Sequence, residues 1–348
     1  MSEQSPLIER VRAAIRRWRE LDGSEWETGL SPEGTRLAQT TAADLILEGE
    51  LGGEEVPRHT AIWCSSNLFT APLEWVATLT ASGGSVTLKA PGSTPRVVAA
   101  IADAFEGLPV RAVTIDHRET PELLGEVDAL LAFGADSTMT ALEKATPDGV
   151  PSSLHGHQVS CAVIDCDLLD TPAALREAAA GVALDHTLHD GRGCMSPVAL
   201  FLLGESREAL IDAIGEEMER LQAEVPRGPL TPLEGTDWRQ RVGLARVLGG
   251  RVLGGETWAV TSLPSTRFEA HAPTRLVATH PIGSVDDLAQ LLGDHPLSTC
   301  GTNLQGAHLE KLEALGFTRL TTPGEMQRPP LGRDHDGRDV IARLNGRG

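Results

Sequence analysis

Short apolar segments alternate with segments of helical periodicity from Thr60 onward, and this alternation restricts the possible folds more than any other feature of the sequence. The apolar segments are residues 60–64, 85–89, 110–115 and 128–133, and the helical segments are residues 72–81, 95–105 and 137–145. Strands that are joined through single helices run parallel, with right-handed crossovers. The pattern therefore predicts a doubly wound α/β sheet.

A second unit of the same kind begins near Gln158. Its predicted strands are residues 159–164, 198–203, 258–261, 275–279 and 317–320, and its predicted helices are residues 173–184, 206–223, 285–292 and 306–315. Thr171 and Pro172 mark the start of the first of these helices, and Ser206 caps the second. Two helices, residues 6–21 and 35–47, precede both units. We expect two doubly wound, Rossmann-like α/β domains.

Charge and cysteine usage exclude several classes of protein. The 348-residue chain has a formal net charge of −19, which opposes binding to nucleic acid or to an anionic membrane. No apolar run approaches the roughly 20 residues that span a bilayer, and the N-terminal segment is too charged for a signal peptide. The five cysteines lack CxxC spacing, so neither a disulfide framework nor a zinc site is expected. We predict a cytoplasmic protein without a metal.

Residues 190–197, with the sequence DGRGCMSP, form the most informative loop. They place Cys194 between glycines and directly before an apolar strand. A thiol in this setting can be presented to a substrate while its backbone N–H stabilises an oxyanion. We interpret Cys194 as a nucleophile; the alternative is a small buried hydrophobic residue, which is what most cysteines in reduced proteins are.

Polar residues follow three of the predicted strands of the first unit. Ligands of doubly wound sheets bind at the carboxyl ends of the strands. The candidates in these three loops are Ser65, Ser66, Asn67, Lys89, Thr94, Gly134, Ser137 and Thr138. A glycine followed by Ser and Thr before a helix can place backbone N–H groups against a pyrophosphate, although many strand-to-helix turns share this pattern.

Three segments make the chain resemble the aldehyde dehydrogenase superfamily, and within it the long-chain acyl-CoA reductases called the LuxC family. They are the DGRGCMSP loop, the VSCAVIDCD strand at residues 159–167, and the C-terminal QRPP and HDG segments at residues 327–330 and 335–337. The resemblance covers residues 60 to the C-terminus. It implies two Rossmann-like domains: a dinucleotide-binding domain at residues 59–156, with the tail 316–348 packing back on it, and a catalytic domain at residues 157–315. Residues 1–58 form an N-terminal helical segment.

The resemblance also implies a reaction: reduction of an acyl-CoA thioester to an aldehyde by a nicotinamide hydride, through an acyl-cysteine on Cys194. Asn67 matches the superfamily's oxyanion asparagine, although an asparagine after a strand is also a common turn residue. Lys89 resembles the lysine that reaches the adenosine ribose or its 2′-phosphate; the alternative is an ordinary surface charge. Because Gly92 stands where many NAD-using members carry a glutamate, we expect NADP(H) rather than NAD(H). Ser65, Ser66, Thr94, Gly134, Ser137 and Thr138 complete the expected cofactor site.

His155 marks a departure from the superfamily pattern. It lies near the position where acid-forming aldehyde dehydrogenases carry a glutamate that activates water. The absence of that glutamate favours an enzyme whose acyl group leaves to a thiol or arrives from one, rather than one that hydrolyses the acyl-enzyme. A histidine can act as general acid or base at neutral pH, or can be a polar residue in a hinge loop. His335 and Asp336 are expected to anchor the tail.

Two alternative functions stay open. An acyl-phosphate reductase of the glutamyl-phosphate type shares the cysteine and the architecture, but it requires a cationic phosphate subsite, and Arg192 is the one cation beside Cys194 in the sequence. The second alternative is a non-catalytic scaffold subunit of a multienzyme complex. The opening helix is compatible with a homo-oligomer, and a partner enzyme that supplies the acyl group or consumes the aldehyde is compatible with the reaction.

Overall fold

The computed structural model describes residues 5–205, 207–263, 268–270 and 274–347. The chain forms two compact units, which comprise residues 1–28, 38–157 and 329–348 in the first and residues 29–37 and 158–328 in the second. The predicted functional division into domains stays a prediction. Within the described ranges, every helix is too short or too polar to cross a bilayer.

The first unit contains a five-stranded parallel sheet in the order β3-β2-β1-β4-β5. The strands are β1 (His59–Trp63), β2 (Ser85–Lys89), β3 (Val110–Val113), β4 (Ala129–Phe133) and β5 (Ser152–His155). The helices are α1 (Pro6–Glu20), α3 (Ala71–Ala81), α4 (Pro95–Ala104), α5 (Thr120–Gly125), α6 (Asp136–Ala145) and α12 (Val340–Leu344), with the C-terminal part of α2 (Pro32–Glu48). All five residues of β4 are buried, as expected for a central strand of a covered parallel sheet.

The second unit contains a seven-stranded sheet in the order β12-β11-β6-β7-β10-β9-β8. Its strands are β6 (Val159–Asp165), β7 (Leu200–Leu203), β8 (Arg251–Gly254), β9 (Ala259–Ser262), β10 (Leu276–Pro281), β11 (Leu297–Thr302) and β12 (Arg319–Thr321). Its helices are α7 (Pro172–Thr187), α8 (Arg207–Glu224), α9 (Pro232–Val247), α10 (Asp286–Leu292) and α11 (Gly306–Glu313). The strand pairs are parallel except for β8 with β9.

Local sequence signals explain where several helices begin. The Thr171 hydroxyl accepts from the Ala174 N–H at 3.1 Å, which confirms the predicted cap of α7. Thr231 and Glu234 form a reciprocal capping box at the start of α9. Ser206, the predicted cap of α8, lies outside the described residues.

The prediction of two doubly wound α/β units is confirmed, but it was incomplete. It omitted β5, α5, α9, β8 and β11, because none of these segments carries a clear apolar periodicity. The sequence of β11, LSTCGT, is rich in small and hydroxyl residues, although all six residues are buried. The Thr302 hydroxyl donates to the Val163 carbonyl at 2.8 Å, so the polar side chain is satisfied inside the sheet.

Candidate active site

The loop that carries Cys194 is held by a strained turn and by the neighbouring strand β6. A short 3₁₀ turn, Leu188–Gly191, precedes the loop, and its residues His189, Asp190 and Gly191 have φ values of 58°, 54° and 73°. The left-handed conformation is costly for His189 and Asp190 but not for the glycine, and such strain concentrates at functional sites. Beyond the turn, Ser160 of β6 donates its hydroxyl to the Cys194 carbonyl at 2.8 Å.

Cys194 differs from the other four cysteines of the chain in exposure. It is exposed, whereas Cys64, Cys161, Cys166 and Cys300 are buried. Burial raises the pKa of Cys64 and of Cys166 to about 12, so these two thiols stay protonated at neutral pH. Cys194 is therefore the cysteine that a substrate can reach in this structure.

Gln327, the first residue of the QRPP segment, contacts the cysteine loop within the second unit. Gln327 donates its amide N–H to the Ser196 hydroxyl, two residues after Cys194. A Cβ on Gly193 would lie 2.7 Å from the Gln327 amide oxygen, so only glycine fits here without moving this side chain. The QRPP segment thus has a structural role that the sequence did not disclose.

Asp185, near the end of α7, fixes the segment that carries Gln327. Its carboxylate accepts the Gly324 N–H at 2.6 Å and the Met326 N–H at 3.2 Å. Burial raises the pKa of Asp185 to about 7, although these two hydrogen bonds and Arg319 oppose the shift. Sequence reasoning missed Asp185, and an isolated acid within a helix gives no signal of such a role.

An arginine cluster surrounds Asp190, beside the cysteine loop. The buried Asp190 carboxylate accepts from Arg275 Nε at 2.6 Å and from the Gly228 N–H at 2.8 Å. Arg192 lies 3.5 Å from the same carboxylate and also bonds Glu234 at 2.9 Å. Burial lowers the pKa of Arg227, as do the charges of Arg275 and Arg192, against the opposite effect of Asp190 and Glu234. The sequence placed only Arg192 here.

The candidate cofactor residues of the first unit lie at one edge of its sheet. β1 pairs in parallel with β2 on one side and with β4 on the other, so the loops after these three strands leave the same edge. The three loops, with the last residue of β2 and the first turn of α6, hold Ser65, Ser66, Asn67, Lys89, Thr94, Gly134, Ser137 and Thr138. The structure therefore brings this part of the predicted set together.

Two of these loops have features that suit a nucleotide. Lys89 lies 4.6 Å from the Trp63 ring, and burial lowers its pKa, so its ammonium is only partly hydrated. Thr94 is 4% exposed, and its hydroxyl has no hydrogen-bond partner among the described residues. It stands immediately before α4, whose first N–H groups receive no side-chain cap from it. A bound hydroxyl or phosphate oxygen would satisfy these groups.

The turn before α6 fits a pyrophosphate less well than its sequence indicates. The Gly134 N–H donates to the His155 carbonyl at 3.2 Å. Ser137 and Thr138 lie in the first turn of α6, but so does Asp136, whose carboxylate accepts the His157 N–H at 2.7 Å. A carboxylate at this helix end repels a phosphate.

Asn67 is exposed in the loop after β1, as an oxyanion donor has to be. The Ser66 hydroxyl donates to its amide oxygen at 3.3 Å. The amide NH₂ group, which is the donor that an oxyanion requires, is not used in this contact.

His155 lies at the end of β5 rather than in a hinge loop, and it is 3% exposed. Its Nε2 lies 2.9 Å from the Ser153 hydroxyl, and its Nδ1 lies 2.8 Å from the Asp336 carboxylate. Its ring stacks on Phe133 with centroids 5.3 Å apart. Both ring nitrogens thus have partners within the first unit, and this arrangement ties the tail to β5 as expected for His335 and Asp336.

His155, His335 and Asp336 are also the one group of described residues whose geometry admits a metal ion, with ligand atoms within 4.8 Å of one another. Arg333 lies 3.3 Å from His335 Nδ1. An arginine donor on this nitrogen leaves the proton on Nε2, the atom that would have to bind the ion. The hydrogen-bonded cluster therefore fits an anchor better than a metal centre.

The fold is that of the aldehyde dehydrogenases. The structure resembles aldehyde dehydrogenase 21 from Physcomitrella patens with a TM-score of 0.75 and 12% identity, covering 98% of this chain and 83% of the other. It resembles succinate-semialdehyde dehydrogenase from Burkholderia pseudomallei with a TM-score of 0.70 and 17% identity, covering 92% and 79%.

The sequence identifies the branch. The model of the family described as acyl-CoA reductase (LuxC) matches residues 63–347, so the chain belongs to this family. The "long-chain acyl-protein thioester reductase" of Vibrio harveyi is 25% identical over 233 residues, which are 64% of this chain and 47% of the relative. The protein of the same name from Aliivibrio fischeri is 20% identical over 226 residues, 64% and 46%. The chain thus spans about half the length of these curated relatives.

Proposed function

We propose that the chain reduces a long-chain fatty acyl thioester to the aldehyde, with Cys194 as the nucleophile. The observation that carries the proposal is the exposure of Cys194 alone among the five cysteines, on a strained loop of a LuxC-family chain. The fold supports a nicotinamide cofactor, and the curated relatives' name supports a thioester as acyl donor.

In the first step of the proposed reaction, the Cys194 thiolate attacks the acyl carbon of the thioester. The bond from this carbon to the donor sulfur breaks, and the donor leaves as a thiolate with the electron pair of that bond. The Cys194 N–H and the Asn67 amide are the proposed donors to the oxyanion; loss of one such donor typically costs about 10² to 10³ in rate.

When bound, a nicotinamide nucleotide would supply the hydride that reduces the acyl group. Lys89 and Thr94, with the loops that hold Ser65, Ser66, Gly134, Ser137 and Thr138, are the proposed residues that hold it. Because position 92 is a glycine, no carboxylate from this residue repels a 2′-phosphate, which favours NADP(H) over NAD(H). Cys194 would then be the leaving group: its sulfur would take the electron pair of the bond to the acyl carbon as the aldehyde is released.

His155 is proposed as an acid or base only if it gives up one of its two hydrogen bonds. The geometry favours a positioning role, in which His155 holds Asp336 and the tail. A His155→Gln variant distinguishes the two roles. If His155 is a general acid or base, its replacement changes the shape of the pH dependence of the rate. If His155 is a positioning residue, its replacement changes stability and leaves that shape intact.

Turnover tests the proposal. The protein is incubated with NADPH or NADH and with one acyl group presented either on coenzyme A or on an acylated carrier protein, and both cofactor oxidation and aldehyde are measured. We expect aldehyde in proportion to oxidised cofactor, faster with NADPH, and no aldehyde with Cys194→Ala. Equal turnover by Cys194→Ala, or its absence with both donors and both cofactors, contradicts the proposal.

A further inference from the structure

We propose that Arg227 and Arg275, assembled around Asp190 beside the cysteine loop, form a binding subsite for a phosphate group. The inference deepens the proposed function and rests on it only for the origin of the phosphate, because binding itself needs no acyl chemistry.

The position of Arg275 relative to the cysteine loop supports this subsite. β7 and β10 are parallel neighbours in which Leu200 stands opposite Thr279. Four residues before each of these lie Ser196 and Arg275, so both chains enter the sheet at the same edge. Arg275 therefore belongs to the edge that presents the cysteine loop, and its Nε bond to Asp190 links it directly to that loop.

Buried guanidinium nitrogens of Arg275 and Arg227 without hydrogen-bond partners among the described residues also support a ligand here. Arg275 has a fully buried side chain, yet the only hydrogen bond of this side chain among the described residues is the one from Nε to Asp190. Nη1 and Nη2 of Arg275 and Nη1 of Arg227 are buried without a hydrogen-bond partner among the described residues. A buried charged donor without an acceptor is strongly disfavoured, so these three nitrogens call for one.

The net charge of the cluster around Asp190 favours an anionic ligand. Asp190 and Glu234 supply two carboxylates against the three guanidinium groups of Arg192, Arg227 and Arg275. Arg192 pairs with both carboxylates, and the second oxygen of Asp190 is also occupied by the Gly228 N–H. The cluster thus keeps one positive charge in excess, in a chain whose net charge is −19.

The class of ligand follows from the number and type of donors. Two guanidinium groups that together offer three nitrogens suit a tetrahedral oxyanion, whose terminal oxygens accept from both groups at once, and phosphate is the oxyanion that we propose. The Trp238 ring lies under Arg227, 5.6 Å from its central carbon, and helps to fix its plane. Strain at Arg275, whose φ is 55°, is consistent with a side chain that is held in place for a ligand.

Two sources supply this chemistry: inorganic phosphate, or a phosphate that is part of the acyl donor. The test begins with isothermal titration of inorganic phosphate into the full-length protein at low ionic strength, with chloride as the reference anion. We expect saturable binding that Arg227→Gln weakens about 10-fold or more. Cys194→Ala is expected to bind phosphate as the native protein does, so failure of the acyl chemistry and failure of this subsite remain distinguishable.

Arg220 provides the matched control. It lies on α8, is half exposed and pairs with Glu217 and Glu224, so Arg220→Gln removes the same charge elsewhere in the unit. We expect this variant to bind phosphate like the native protein. No saturable heat up to about 10 mM phosphate, or equal weakening by Arg220→Gln and Arg227→Gln, overturns the proposal. Arg275→Lys keeps the charge but not the two terminal nitrogens, and we expect it to weaken phosphate binding as well.

Acylation kinetics identify the source. If the phosphate belongs to the acyl donor, inorganic phosphate raises the apparent KM for acylation of Cys194, and Arg227→Gln raises it as well. If the phosphate is free, it binds without competing with the donor. The same assay with a short acyl phosphate as donor determines whether the subsite serves an acyl-phosphate substrate.

Discussion

Arg192→Ala tests the claim that the cysteine loop is positioned by its own arginine. Arg192 is 15% exposed and bonds three other segments: Glu234 at 2.9 Å, the Gly29 carbonyl at 2.9 Å and the Pro229 carbonyl at 3.2 Å. The alanine variant removes all three hydrogen bonds and leaves two carbonyl groups and a carboxylate without this donor.

The expected loss follows from the number of bonds and their partial exposure. A hydrogen bond that involves a charged group contributes about 1.5 to 3 kcal/mol when buried, and water partly replaces the donor here, so about 1 kcal/mol each is a better value. The free energy of unfolding of the second unit should fall by about 3 kcal/mol, and its melting temperature by about 6 to 12 °C.

Calorimetry and the acylation rate of Cys194 are the two measurements. Arg220→Ala is the control, because Arg220 also bonds two carboxylates but is half exposed, and its loss should cost no more than about 1 kcal/mol. We expect Arg192→Ala to be less stable and to be acylated more slowly. Equal melting temperatures for the two variants, or an unchanged acylation rate, refute the anchoring role of Arg192.

Two further substitutions test the packing of the second unit. Gly181→Ala places a Cβ 2.5 Å from the Pro323 carbonyl carbon and 2.9 Å from the Gly324 nitrogen, and should cost about 1 to 3 kcal/mol in chemical denaturation, whereas Gly243→Ala on α9 meets nothing within 4 Å and should not destabilise. Burial lowers the pKa of His280 to about 4. Between pH 6.5 and 4 this histidine is therefore protonated in the unfolded chain but not in the folded one, so the free energy of unfolding falls as the pH drops through this range. In His280→Asn the dependence of unfolding free energy on pH over this range should weaken by about 1.4 kcal/mol per pH unit, and an unchanged dependence would contradict the assignment.

The alternation of strands and helices was predictable because it is written in local periodicity. Strands β1, β2 and β4 and helix α7 lie within a few residues of their predicted bounds. β11 and β5 were missed because their interior positions are filled by Ser, Thr and His residues that are satisfied by tertiary hydrogen bonds, such as His155 with Asp336 and Thr302 with the Val163 carbonyl. These partners lie far apart in the chain and are brought together by the fold, so no local window of sequence contains both of them.

In the candidate site, too, some residues could be identified from the sequence and others could not. Cys194 could be proposed as the nucleophile from the local signature of its loop, and the structure adds that this cysteine is exposed. Arg275 was not predictable, since it lies 85 residues from Asp190 in the chain. Its role depends on β7 and β10 being neighbours, which only the sheet order establishes.

Peptide mass spectrometry after incubation with a long-chain acyl thioester, without cofactor, tests the central claim most directly. We expect an acyl adduct on the peptide that contains Cys194, none on the four buried cysteines, and discharge of the adduct as aldehyde when NADPH is added. An acyl group on another residue, or an adduct at Cys194 that NADPH leaves in place, would contradict this claim.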